Sequence, residues 1–237
     1  MSEKPIIYVQ QKDLVIPGDL IAEGPIQAPM TYTYREGNRI YASVPGIVEV
    51  RDNRIVLIPF EPTYLPKPGD TVIGIVKDIG NTYWVIDINS PYEGQLPVSE
   101  TMLKQLQWTF DMLRKYLDIG DYVILKVLCF DRNRDPLLTA KGKDLGKIMS
   151  GKIIESRVLR APWMTAKKRA LLEAIARETK TNILVADNAR VLVRGSSRED
   201  EDLAVLAIKY IDKHGFKPPS TREVIEFIRN EREKRGA

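Results

Sequence analysis

Apolar residues in the first two thirds of the chain come in short runs that alternate or are β-branched, with proline and glycine at their borders. Runs at 39–44, 46–50 and 54–59 predict strands of a small β domain over residues 1–66. Residues 61–68, Glu-Pro-Thr-Tyr-Leu-Pro-Lys-Pro, read as a stiff connector, because proline fixes φ and extends the residue before it. Beyond it, runs at 71–76, 84–88, 93–98, 122–130 and 136–140 predict five more strands. Between the third and fourth of these, Leu103, Leu106, Phe110 and Leu113 recur at helical spacing in a predicted helix over 100–117. Five short strands with an insertion before the fourth suit a closed barrel of the OB type over 67–147. Three turn signals, Pro17-Gly18-Asp19, Pro68-Gly69-Asp70 and Ile119-Gly120-Asp121, each precede an apolar run.

From residue 148 the pattern changes. Residues 152–154 with Val158 predict a strand, and 166–180 a helix with Leu171, Leu172, Ile175 and Ala176 on one face. A hairpin follows at 181–185 and 190–193, turning at Ala186-Asp187-Asn188-Ala189. A second amphipathic helix covers 199–214 with Leu203, Leu206, Ala207, Tyr210 and Ile211 inward, and Ser220 caps a last helix to about 235. The fold class is therefore multidomain, with an N-terminal β domain, a five-stranded barrel, and an α+β domain with a terminal helix over 148–237.

Composition narrows the function. Of the 237 residues 43% are hydrophobic and 29% charged, a soluble globular balance, and no run approaches the twenty apolar residues of a membrane span. No apolar run follows the first residues, so no secretory signal is expected. The single Cys129 excludes an internal disulfide and a multi-cysteine zinc site, and a cytoplasmic protein without metal or cofactor is the expectation. Charge is uneven. Residues 151–237 hold 19 Lys/Arg against 13 Asp/Glu, and the other 150 hold 17 against 19, which makes the C-terminal part the one suited to a polyanion. No Walker loop, Gly-x-Ser-x-Gly or His-Glu metal pattern appears, and no carboxylate pair is assigned to acid and base roles, so no enzyme is expected. Asp87 reads as an isolated outward residue in mid-strand, and His214 as a helix cap.

The segments Pro68-Gly-Asp-Thr-Val-Ile-Gly-Ile-Val-Lys-Asp-Ile, Gly94-Gln-Leu-Pro-Val-Ser-Glu and Gly120-Asp-Tyr-Val-Ile-Leu-Lys-Val resemble the S-one class of OB domain. With residues 131–146 and Val15-Ile-Pro-Gly-Asp-Leu-Ile-Ala-Glu-Gly24, the chain is similar from about Lys12 to His214 to the archaeal exosome cap subunit of the ribosomal-RNA-processing protein four type, which also carries a KH domain. The other archaeal cap subunit ends in a cysteine-rich zinc ribbon, which one cysteine excludes. The resemblance implies a non-catalytic subunit of the cap on an RNase-PH-like ring, sharing it with other cap subunits. It would deliver single-stranded RNA, with a preference for adenine-rich ends, to 3′-to-5′ degradation sites in the ring. A mainly structural assembly clamp of that complex with a degenerate KH module, or a free-standing ribosome-associated RNA binder, are the alternatives.

Single strands are held by basic grooves and aromatic platforms, and the resemblance locates candidates for both. Its usual aromatic pair falls on Thr82 and Val85, which leaves Tyr83 as the ring available for stacking, while Trp84 is core or interface. Its histidine position holds Pro97. Its charged loop holds Asp131, Arg132 and Arg134: Asp131 suits an Asx turn, and the arginines suit phosphates or bases. Lys141 and Lys143 are backbone contacts of lower weight. The Gly-x-x-Gly loop of a KH domain falls on Ala166-Lys167-Lys168-Arg169. Both glycines are lost, so close clamping gives way to phosphate attraction by Lys167, Lys168 and Arg169. Asn188-Ala189 likewise lacks the glycine of an easy left-handed turn.

Overall fold

All three Gly-Asp signals fold into the same turn. In the computed structural model, which describes residues 5–28, 32–51, 54–60, 63–102, 109–131, 133–160, 165–215 and 218–236, Gly18, Gly69 and Gly120 take φ of +94°, +94° and +88°. The aspartate after each glycine closes the turn twice. Its backbone N–H donates to the carbonyl three residues back, in Ile16, Lys67 and Asp118. Its carboxylate accepts the N–H of that same residue at 2.8, 3.0 and 2.8 Å. Glycine is required there because positive φ crowds a Cβ against the backbone.

The chain forms two compact units, Met1–Pro62 and Thr63–Ala237. The first is all β. One sheet orders β1 (Ile6–Ile7), β3 (Leu20–Glu23), β5 (Arg39–Ala42) and β4 (Thr33–Glu36). The other orders β2 (Leu14–Val15), β6 (Gly46–Arg51) and β7 (Arg54–Pro59). The alternation read at 39–59 is real: Ile40, Ala42, Val48, Ile55 and Leu57 are buried, with Ile21 and Ala22 from β3. On the outside Ile6, Tyr8, Leu14 and Ile16 remain more than half exposed.

In the second unit, β8 (Thr71–Ile79), β9 (Tyr83–Asp87), β10 (Glu93–Pro97), β11 (Tyr122–Asp131) and β12 (Arg134–Thr139) form the expected barrel. Neighbours pair antiparallel, and a parallel β10–β12 contact at Gln95↔Leu137 closes it. Trp84, Ile86, Leu96, Leu125 and Leu138 fill the interior, joined by Tyr64, so part of the connector belongs to the barrel core. The insertion differs from its prediction. Among the described residues its α-helix is only α1 (Phe110–Tyr116), because Thr109 is extended. Leu113 and Leu117 are buried, whereas Phe110 is 54% exposed rather than inward. Leu103 and Leu106 lie outside the described residues. A short strand β13 (Gly146–Lys147) adds to β11.

The α+β part orders β14 (Lys152–Glu155), β16 (Arg190–Gly195) and β15 (Thr181–Val185) in one sheet. Val158 is not part of the first strand; it falls in α2 (Arg157–Arg160), whose start Ser156 supports by accepting the Leu159 N–H. The helices α3 (Thr165–Thr179), α4 (Arg198–Lys213) and α5 (Thr221–Gly236) cover the sheet and share its core through Leu171, Ile175, Ala207, Ile208, Ile211, Val224 and Ile228. Ser197 caps α4 by accepting the Asp200 N–H at 3.1 Å. Ser220 and Glu223 form a reciprocal capping box on α5. His214 ends α4, its Nδ1 2.8 Å from the Tyr210 carbonyl.

Barrel and α+β sheet form one unit because the β15–β16 turn docks on β8. Ala186 and Leu192 pack with Ile73 and Ile124. Asn188 is fully buried: its Nδ2 donates to the carbonyls of Ile73 (2.8 Å) and Ile88 (2.9 Å), and its Oδ1 accepts the Ile73 N–H. Ala189 takes the left-handed conformation, φ +66°, without glycine's freedom. Ala189→Gly should therefore raise unfolding stability by about 0.5–1 kcal/mol, read as a higher urea midpoint at unchanged slope.

Candidate nucleic-acid interface

Period-two alternation decides which side chains the barrel shows. Along β9 and β10, Trp84, Ile86 and Leu96 point inward, while Tyr83, Val85, Glu93 and Gln95 point out. Trp84 is wholly core, its indole N–H donating to the Leu117 carbonyl at 3.0 Å. Tyr83 pairs across the strands with Pro97 and is 38% exposed. Its ring lies over Gly80, where any Cβ would meet it at 2.9 Å, so that glycine makes room for an outward aromatic.

Arg134 opens β12 at the other end of the barrel strands. The Gln95↔Leu137 register sets it opposite the Glu93 end of β10, about 16 Å along the strands from Tyr83. The structure thus leaves Tyr83 and Arg134 exposed at opposite ends of the barrel strands and does not bring them together. Arg134 is exposed and makes no ion pair among the described residues. Asp131 accepts the Asn133 N–H at 2.8 Å, the Asx turn expected of it. Arg132 lies outside the described residues. Lys141, just past β12, sits 3.3 Å from the Glu100 carboxylate.

The cation run of the α+β part is not a loop: α3 starts at Thr165, so Lys168 and Arg169 belong to its first turns. Positive side chains there oppose the helix dipole. Arg169 pairs with Glu173 at 2.8 Å and stays largely exposed. Lys168 is half-buried; burial lowers its ammonium pKa, and the nearby Asp187 carboxylate partly restores it. The Lys167 side chain is outside the described residues.

Sequence reasoning missed a second electrostatic centre. Asp87 is no isolated outward residue, because Arg190 reaches it from the α+β sheet. The Arg190 side chain is only 5% exposed. Its Nη2 donates to Asp87 Oδ2 at 2.7 Å, and its Nη1 to the carbonyls of Asp87 (2.7 Å) and Ile73 (3.1 Å). Glu155 stands 3.6 Å from its Nε. Burial alone would push the Asp87 carboxyl up, but the Asn89 N–H and the Arg190 guanidinium outweigh it and hold the group below its ordinary value. The signal in the sequence was Arg190 opening the apolar run Val191-Leu192-Val193 directly after the turn residue Asn188. Among the described residues no His, Cys, Asp and Glu side chains gather as metal ligands, and no helix is long and apolar enough to cross a membrane.

A separate β unit followed by a closed OB-type barrel fused to an α+β module, with an exposed arginine and tyrosine on the barrel, defines a class of multidomain OB-fold proteins. Comparison with known sequences specifies it further. The family model described as the exosome RNA binding protein RRP4 N-terminal domain matches residues 12–61, and the RRP4 S1 domain matches residues 63–129. The exosome complex component Rrp4 of Sulfurisphaera tokodaii is 40% identical over 225 residues, covering 94% of this chain and 91% of that one. That of Saccharolobus solfataricus is 35% identical, covering 100% and 96%. A crystal structure provisionally described as an exosome complex RNA-binding protein is 36% identical, with a TM-score of 0.67 over 73% of this chain and 99% of its own. The chain belongs to the Rrp4 family.

Proposed function

We propose that this chain is a non-catalytic, RNA-binding component of an archaeal exosome, working in the cytoplasm. It caps an RNase-PH-like ring beside other cap subunits and guides single-stranded RNA to 3′-to-5′ degradation sites. The observation that carries the reading is full-length similarity to proteins named exosome complex component Rrp4. Three modules divide the work: 1–66 docks on the ring, 67–147 binds RNA, and 148–237 is KH-like and adds phosphate attraction. The exposed Ile6, Tyr8, Leu14 and Ile16 support docking, since apolar surface of this kind marks a protein interface. Tyr83, Arg134, Lys141, Lys167, Lys168, Arg169 and Arg132 are the RNA contacts.

A second reading has its own support. Arg169 is paired with Glu173, and Lys168 is half-buried with the Asp187 carboxylate favouring its charge, so cations of the helix start are partly used inside the protein. On that reading the KH-like module is a structural clamp. RNA affinity of the intact protein, measured against salt, separates the two. Changing Lys167, Lys168 and Arg169 together to alanine should lower affinity and reduce the salt slope by up to about 2, at roughly 0.7 per phosphate on a single strand. Arg134→Ala should reduce it by about 0.7. Unchanged affinity and slope in both variants contradict RNA guidance.

A further inference from the structure

A groove of about 680 Å³ opens where β10 meets the β11–β12 hairpin. Barrel closure creates it, joining residues some forty positions apart. On one side Tyr92 and Phe130 meet edge to face with ring centroids 4.8 Å apart. On the other stand Arg134, Asp135, Gln95 and Leu137. Register breaks in β11 on either side of Cys129 turn that thiol outward and put it on the groove lining.

The volume suits a nucleotide-sized ligand, and the lining has the mixed character that a base requires: an apolar face and a polar edge. Two half-buried rings give a flat apolar body a surface to lie on. Arg134, without an ion-pair partner among the described residues, is free for a phosphate. Asp135 carries one carboxylate oxygen 3.4 Å from the Gln95 amide nitrogen, and its other oxygen has no partner among the described residues. Carboxylate oxygens only accept, so they favour a base edge that donates. Cytosine, adenine and guanine each present an exocyclic amino group; the uracil edge has one N–H between two carbonyls, which a carboxylate repels.

We propose that this groove is a nucleobase subsite: Tyr92 and Phe130 support the ring, Arg134 takes the adjoining phosphate, and Asp135 with Gln95 selects bases that carry an exocyclic amino group. It rests on the RNA-binding reading and extends it to contacts beyond the Tyr83 position.

The lone cysteine of the chain gives a direct readout, since occupancy should shield Cys129 from alkylation. The intact protein is treated with N-ethylmaleimide alone, with saturating oligocytidine, and with oligouridine, while anisotropy follows binding of each. Oligocytidine should slow alkylation several-fold and bind more tightly than oligouridine. Tyr92→Phe should keep affinity, Tyr92→Leu should lower it roughly tenfold at unchanged melting temperature, and Asp135→Asn should narrow the cytidine-to-uridine preference. RNA that binds without protecting Cys129, or a Tyr92→Leu protein that binds as wild type, overturns the subsite alone. A protein that binds no RNA overturns the functional reading with it. Protection of Cys129 by ring subunits instead of RNA would assign the groove to protein contact and overturn the proposal.

Discussion

Arg190→Ala is expected to destabilise the second unit by about 2–4 kcal/mol, because it leaves the Asp87 carbonyl and the partly exposed Asp87 carboxylate without their donor. The guanidinium serves the Ile73 and Asp87 carbonyls and the Asp87 carboxylate while itself nearly excluded from water. Each acceptor stranded in the junction costs about 1–3 kcal/mol. Urea unfolding followed by tryptophan fluorescence, to which the fully buried Trp84 contributes, reads the loss as a lower midpoint. Arg190→Met keeps much of the volume but none of the donors, and should fall almost as far. A midpoint within about 1 kcal/mol of wild type would mean that water replaces the guanidinium easily. The same contact sets an acid limit. The Asp87 pKa is lower folded than unfolded, so its contribution is complete above the unfolded value of about 3.9 and is lost as pH falls through the folded one. Hence wild type should exceed Asp87→Asn by a constant margin above about pH 5, with the margin shrinking below about pH 4. Asp212, whose carboxyl burial raises, acts with the opposite sign but is common to both proteins and cancels in the difference.

Asn188→Ala is expected to cost about 3 kcal/mol, close to the arginine change. Three hydrogen bonds tie this one side chain to β8 and to Ile88 just past β9; of these partners the Ile73 carbonyl also accepts from Arg190 Nη1. Asn188→Asp is the sharper test, because it retains the acceptor to Ile73 N–H and replaces the two donations with a buried negative charge facing carbonyls. It should be at least as damaging as alanine at neutral pH. If both variants unfold like wild type, the hairpin turn is not what joins barrel and α+β sheet. Asn188 and Arg190 share the Ile73 carbonyl, so the double variant should lose less than the sum of the two.

What the sequence revealed follows the range of the interactions. Turns and strands are local: the Gly-Asp signals at 18–19, 69–70 and 120–121, the five barrel runs, and the Ser220-Glu223 cap can all be read from adjacent residues. The insertion helix was over-read at its start because leucine spacing carried the prediction across Thr101 and Thr109, both of which are extended. The two-residue strands β1 and β2 are too short to show a period. Long-range features stayed hidden for a different reason. Asp87 and Arg190 are 103 positions apart, and nothing near either predicts that they meet. Among candidate contacts, Tyr83 and Arg134 could be found because the family resemblance points at their positions. Tyr92 and Phe130 could not, since only barrel closure makes them neighbours. The basic run at 167–169 was legible as charge at the start of a helix, but not the burial of Lys168 or the influence of the Asp187 carboxylate on it.

The most direct test of RNA guidance is the rate at which an RNase-PH-like ring shortens a single-stranded 3′ tail, with and without this chain, at sub-saturating RNA and at several salt concentrations. A guide raises local RNA concentration, so the rate at low RNA should rise by about tenfold or more while the rate at saturating RNA stays the same. That advantage should shrink as salt increases and should be reduced in Arg134→Ala. A chain that assembles with the ring yet leaves the low-RNA rate unchanged at every salt concentration would contradict the account.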